Sequence, residues 1–310
     1  MKKAIFICCF ISFALYSKAC DICGCSASES ALGVLPQIQK NYMGINYQYR
    51  SFTSTHIPDV STQEEALGTS KEHFHTLTFN GMYSPISRLK ITAQIPFNFY
   101  NKDEYKTTIY SRGIGDVTIS LLGELFSTKQ CKSNGIKQLL MAGIGKKMPT
   151  GSIDKKYGLA ILEPNFQPGT GSFDFPFLVY YALKTKKSGF RSELQYILTT
   201  ANKKDFKYGN RFSTTIQTWY WYEKKNWNVI PYAGLQLDQS GKDRNKGVIN
   251  DYSGGSMLNA TIGADIFIKN YGWGITVKTP IYQNIGLGYI DNKLKFNLQF
   301  IYLIQKTKKS

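Results

Sequence analysis

Residues 89–99 read LKITAQIPFNF. Leu89, Ile91, Ala93, Ile95, Phe97 and Phe99 take alternate positions, and Lys90, Thr92, Gln94, Pro96 and Asn98 fill those between. Successive side chains of a strand point to opposite faces, so this stretch is a β-strand with one apolar and one polar face.

The same alternation recurs along the chain. Phe296, Leu298, Phe300 and Tyr302 oppose Lys295, Asn297 and Gln299. Val117, Ile119, Leu121 and Leu125 oppose Asp116, Thr118, Ser120 and Glu124. Phe190, Leu194, Tyr196 and Leu198 oppose Arg191, Glu193 and Gln195. About twelve such segments cover 42–53, 73–84, 88–100, 113–126, 137–148, 173–184, 189–200, 211–223, 227–238, 257–268, 271–282 and 293–304. Most reach the roughly 9 to 11 residues that a tilted membrane strand needs. The fifth and eleventh alternate poorly.

Long and short connections also alternate. TSTHIPDVSTQEEALGTSK is long and SPIS short; the third connection, between 100 and 113, is long. PTGSIDKKYGLAILEPNFQPGTGS is long, KTKKSG and EKKN are short, QSGKDRNKGVINDYSGGS is long and KNY short. STKQCKSNG alone is long for its side. Tight turns at one end and long loops at the other are the habit of outer-membrane barrels, with the turns facing the periplasm. An even strand number puts both termini at the turn end. A soluble sandwich has no reason to alternate loop length in this way.

A soluble barrel would turn its apolar face inward. Here the polar faces carry bulky charged and amide groups, and twelve strands enclose more space than the eight whose side chains just fill the interior. The expected fold is therefore an all-β, transmembrane, antiparallel up-and-down β-barrel with a polar lumen and an apolar belt. The composition agrees, with 21 Tyr, 19 Phe, 4 Trp and 27 Gly. Tyr100, Tyr222, Trp227, Tyr271, Trp273 and Tyr302 lie near strand ends, where interfacial aromatic girdles sit.

Residues 1–19 have the form of a secretory signal: Lys2 and Lys3, the apolar run AIFICCFISFALY, then SKA with Ala19 last. That run of roughly 13 residues is short of the ~20 that span a bilayer. Three parts are expected: signal peptide 1–19, a cysteine-containing periplasmic segment or plug 20–40, and a barrel 41–305. Loss of Lys2, Lys3 and Lys18 would take the formal charge from +17 to +14. Solvated lysine-rich turns account for this excess, and attraction to anionic headgroups is a lesser part of it. The expected surroundings are outer-membrane lipid and a small solute, with no nucleic acid. The pattern sets no oligomeric state.

Three stretches carry a resemblance. RGIGDVTIS opens a strand with Gly-x-Gly-Asp, GKKMPTGS ends one in Pro-Thr-Gly, and FQPGTGSFDF follows. Their order and spacing resemble the outer-membrane barrel family named for the meta-cleavage pathway of phenol degradation. Residues 112–176 carry the likeness. CDICGCS with LGVLPQIQKNYMGINYQYRSF is similar to a Bacteroidetes-type branch of such proteins. The resemblance implies an outer-membrane barrel with a transport role and says little about the solute.

The chemistry visible in the sequence is sparse. His73 and His75 share a strand face with Leu77, Phe79 and Tyr83, the lipid-facing phase, and His56 lies in the first long loop. No Gly-x-Ser-x-Gly element or nucleophile–base pair is present, so no enzyme is expected. A phospholipase-like barrel would need a partner for His75. On the lumen phase Arg50, Lys90, Arg191, Arg211, Lys278 and Lys295 face Asp116, Glu124, Asp174, Glu193, Asp238 and Asp265. Such groups either pair and hold the lumen shut or line a solute path without strong ion preference. Trp219, Trp221, Tyr180 and Tyr232 share that phase and would narrow the bore or stack a hydrophobic solute.

The functional expectation is an outer-membrane channel or transporter for a small solute. The alternatives are a barrel that handles a soft metal such as copper at the periplasm, and a closed structural or adhesion barrel. The metal alternative rests on Cys20, Cys23 and Cys25, whose C-x-x-C-x-C spacing suits thiolate ligation but lacks a defined fourth ligand. Those cysteines and Cys131 would share one oxidising compartment, so two disulfides compete with metal. Lipidation of Cys20 is a third option. No other cofactor is expected.

Overall fold

A computed structural model describes residues 41–55, 68–104, 107–128 and 136–304. Twelve antiparallel strands form the wall: β1 (Asn41–Thr55), β2 (Thr69–Ile86), β3 (Leu89–Glu104), β4 in two parts (Thr107–Ile114 and Thr118–Ser127), β5 (Lys137–Lys147), β6 (Phe175–Lys184), β7 (Ser188–Leu198), β8 (Arg211–Tyr220), β9 (Trp227–Ser240), β10 (Gly255–Ile268), β11 (Tyr271–Ile285) and β12 (Ile290–Ile304). Each strand pairs with its neighbours in sequence, and β12 returns to pair with β1. The ring is closed. Every wall strand has two partners, which removes sheet edges and satisfies the backbone where lipid offers no hydrogen bonds.

The burial pattern fixes which face is which. Phe99, Leu121, Ile262, Ile275 and Leu298 point outward and are exposed. Arg50, Gln217, Asp238 and Asn259 point inward and are at most 4% exposed. An apolar exterior around a buried polar interior inverts the soluble arrangement and suits a barrel bathed in lipid. Tyr271 packs on Tyr302 with ring centroids 5.3 Å apart, and Trp273 on Phe300 at 5.8 Å, giving part of an aromatic girdle at the turn end.

The structure corrects the sequence reading in three places. The third connection is not a long loop, because β3 runs to Glu104 and β4 starts at Thr107, paired through Glu104↔Thr107. At 16 residues β3 is longer than the roughly 9–11 that a tilted strand needs to cross a bilayer, and its polar outer part conceals the hairpin. Tyr100 is not a girdle residue: it faces inward, 4% exposed, since it falls out of phase with Phe99. The long loops also carry small sheets of two-residue strands. Phe206–Lys207 pairs with Arg244–Asn245, which pairs with Val248–Ile249, tying two loops together. Strands this short leave no periodicity to read.

Candidate functional site

The lumen is built in layers, because inward positions on neighbouring strands meet in register. The layer nearest the turns is apolar. Tyr42, Met82, Met141, Tyr180, Trp219 and Ile301, with further side chains from β4, β9 and β10, form one buried cluster. Tyr180 and Met141 are fully buried, and Trp219 is 4% exposed. The cluster's members come from strands all round the barrel, from Tyr42 on β1 through Tyr180 on β6 to Ile301 on β12, so it spans the bore. The Trp219 indole sits against Gly189, where a Cβ would come within 2.1 Å of the ring. Trp221 packs against the same cluster, with the Lys184 ammonium 3.7 Å from its ring centroid. The four aromatics of the lumen phase thus form a floor.

Above the floor lies a belt of amides and hydroxyls. Facing positions Thr276, Asn297, Gln48, Thr76 and Asn98 make one row across β11, β12, β1, β2 and β3. Gln299, Asn46 and Thr78 make the next row toward the floor. These side chains wall a cavity of about 160 Å³, which Arg50, Asp116, Lys147, Arg191, Asp265 and Lys278 also line.

The upper boundary is the loop 148–174, folded into the barrel. Phe166, on a single 3-10 turn, is 2% exposed and packs on Phe74 and Tyr100 at 5.4 and 6.1 Å. The loop is held by a latch assembled from all three motifs of the resemblance. β4 breaks between Ile114 and Thr118, which turns Asp116 inward. Its carboxylate accepts hydrogen bonds from the Gly151 amide at 2.9 Å, the Thr170 amide at 2.8 Å and the Thr170 hydroxyl at 2.6 Å. Lys147 bridges Asp116 at 3.2 Å and Asp174 at 2.5 Å. The Thr150 hydroxyl donates to the Gly115 carbonyl at 2.8 Å and accepts from the Val117 amide at 2.9 Å. Asn98 donates to the Pro168 carbonyl at 2.8 Å. Gly151 and Gly169 meet backbone to backbone, and a Cβ on Gly151 would lie 2.6 Å from the Gly169 Cα. Only glycine permits that approach.

The inward acidic and basic residues of the sequence reading fall into several groups. Arg50, Asp116, Arg191, Asp265 and Lys278 meet at the cavity. Lys295 is buried beside them in register with Arg50 and Lys278. Asp174 belongs to the latch. Asp238 sits nearer the loops, accepting from Ser213 at 2.8 Å and Gln236 at 2.9 Å. Arg211 lies at the loop end, 5.9 Å from the Tyr208 ring. Glu193 faces Tyr180 at the floor. Lys90 and Glu124 lie at the turn end, outside the cavity wall: Lys90 donates to Ser84 at 2.8 Å, and Glu124 accepts from Ser127 beside a register shift.

Sequence reasoning missed Lys147. β5 alternates poorly because Gly143 and Gly145 take its inward phase, and that same phase carried one step further reaches Lys147. Lys102 was also missed. It is buried near the loop end and 3.3 Å from Glu163. His73 and His75 face outward, each Nδ1 2.8 Å from a phenol, Tyr49 and Tyr47 respectively. Cys20, Cys23, Cys25, Cys131 and His56 lie outside the described residues, as does the 20–40 plug.

No family model and no curated relative matches the chain. Solved structures do. An outer membrane channel from Pseudomonas putida F1 superposes with a TM-score of 0.60 at 13% identity, over 86% of this chain and 96% of that one. The transport unit of the autotransporter AIDA-I from Escherichia coli gives 0.46 at 12% identity, over 90% and 94%. The NanC porin gives 0.44 at 8% identity, over 85% and 100%. At these identities the likeness concerns the fold, which is that of outer-membrane β-barrels.

Proposed function

We propose that the chain is a bacterial outer-membrane channel for a small polar solute, entered from the loop end. The observation that carries this reading is the cavity of about 160 Å³ walled by amide, hydroxyl and charged groups at mid-height of a closed barrel. Buried polar groups require partners, and a lumen rich in them is built for water and a hydrogen-bonding solute. The latch supports it from above. A loop pinned by a carboxylate and a lysine narrows the entrance without closing it by chance collapse. The apolar floor is the element that must yield for a solute to pass.

The floor also favours a second reading, a closed barrel with a structural or adhesive role. Liposome swelling and planar-bilayer conductance of the purified protein separate the two. Permeation of small solutes, increased in Trp219→Ala, is expected. Absence of any permeation in both the native protein and Trp219→Ala would overturn the channel.

A further inference from the structure

Four of the inward basic residues fall on one row of facing positions. Following facing positions from strand to strand, Arg191 on β7 is opposite Gln217 on β8, and Gln217 is opposite Gly234 on β9. Gly234 is opposite Thr261 on β10, and Thr261 is opposite Lys278 on β11. Lys278 faces Lys295 on β12, which faces Arg50 on β1. One continuous row across seven strands therefore holds four cations and no acid. Strands in a barrel are tilted and staggered, so such a row climbs the wall. Arg191 is the fourth residue of Ser188–Leu198 from the turn end, whereas Arg50 is the tenth of Asn41–Thr55 from the same end. The row is a spiral of positive charge rising from the floor to the aromatic layer below the loop, and three of its four cations line the cavity.

The acids lie off this row, Glu193 standing two residues from Arg191 on β7. Asp116 and Asp174 share Lys147 in the latch. Asp238 is held by Ser213 and Gln236 nearer the loops. Asp265 falls on the row that runs through Gly274 and Gln299, nearer the floor. Like charges on directly facing positions disfavour a sheet, and Lys278, Lys295 and Arg50 face one another in sequence. Retaining them in a narrow bore with low-dielectric walls focuses a positive potential there.

Below the cations, the belt offers acceptors. The amide oxygens of Asn80 and Asn297 are buried without a hydrogen-bond partner among the described residues. Guanidinium and ammonium groups recognise carboxylates, whereas unpartnered amide oxygens call for hydroxyl donors. Resting on the channel reading above, we infer that the solute is a small hydroxyl-bearing carboxylate, drawn along the spiral of Arg191, Lys278, Lys295 and Arg50 with its hydroxyls on the amide belt.

The test uses the full-length protein in planar bilayers under a KCl gradient and in proteoliposomes. The reversal potential is expected to show anion preference, and swelling in gluconate is expected to be several-fold faster than in sorbitol of similar size. Lys278→Gln with Lys295→Gln should reduce both preferences while conductance persists. Lys90→Gln, outside the row, should leave them in place and controls for a general loss of charge. Conductance without anion preference, or equal swelling in gluconate and sorbitol, would overturn the carboxylate inference while leaving the channel intact. Absence of both conductance and swelling, also in Trp219→Ala, is the separate result that removes the channel itself.

Discussion

The two ends of the lumen are bounded by opposite physics. At the loop end, an inward loop is held by directional bonds: two carboxylates, one lysine, two threonines and a backbone contact between glycines. At the turn end, the bore is filled mainly by packed aromatic and aliphatic side chains, led by Tyr180, Met141 and Trp219. Hydrogen bonds to charged groups fail abruptly when one member is removed, because the others stay buried without partners. An apolar cluster yields by degrees, since its side chains exchange one packing for another at modest cost. The difference assigns rigidity to the loop end and movement to the turn end.

Four changes would break or sharpen this contrast. The largest effect is expected from Asp116→Ala, which leaves three buried donors without their acceptor and Lys147 with Asp174 as its one remaining carboxylate. Breaking a buried charged network costs on the order of 3–5 kcal/mol. The loss should appear as protease cleavage within 149–173 while the barrel stays intact. Resistance equal to the native protein would show that the loop is held otherwise. Next is Trp219→Ala at the floor, with a cost of about 3 kcal/mol in urea unfolding, reduced if the floor collapses into the space. Its signature is higher conductance with normal protease resistance of the loop, the reverse of the latch variant.

Gly189→Ala follows. It drives a methyl into the Trp219 ring and should cost about 1–3 kcal/mol by overpacking, read as a shift in Trp fluorescence together with a lower unfolding midpoint. An unchanged spectrum would mean that the indole does not lie on Gly189. The smallest effect is expected at Thr150→Val, which removes one hydroxyl that both donates and accepts within the latch. About 1 kcal/mol is expected, with a slight rise in loop proteolysis and no change in conductance.

The strands were legible because their physics is local. LKITAQIPFNF became β3, and all twelve alternating segments lie on wall strands, since an inner polar face and a lipid-facing apolar face force a period of two on each one. The hairpin beyond the bilayer at Glu104–Thr107 was not legible, because outside the membrane no apolar face is required and the signal lapses. Lys147 was hidden by the glycines of β5. Tyr100 was misplaced by reading its position near a strand end instead of its phase.

The sequence by itself determined that strands cross a membrane, how many there are, which face is wet and which inward residues bear charge. Each of these follows from the chain's own periodicity. Only the tertiary structure decided which inward groups meet. The glycine–aspartate, Pro-Thr-Gly and Gln-Pro-Gly-Thr-Gly motifs are separated along the chain, yet they converge on Asp116 because the loop folds back into the barrel. The same holds for Arg191 and Arg50, which share a row only through the register of seven strands. Register is set by pairing between strands, and no single strand carries it.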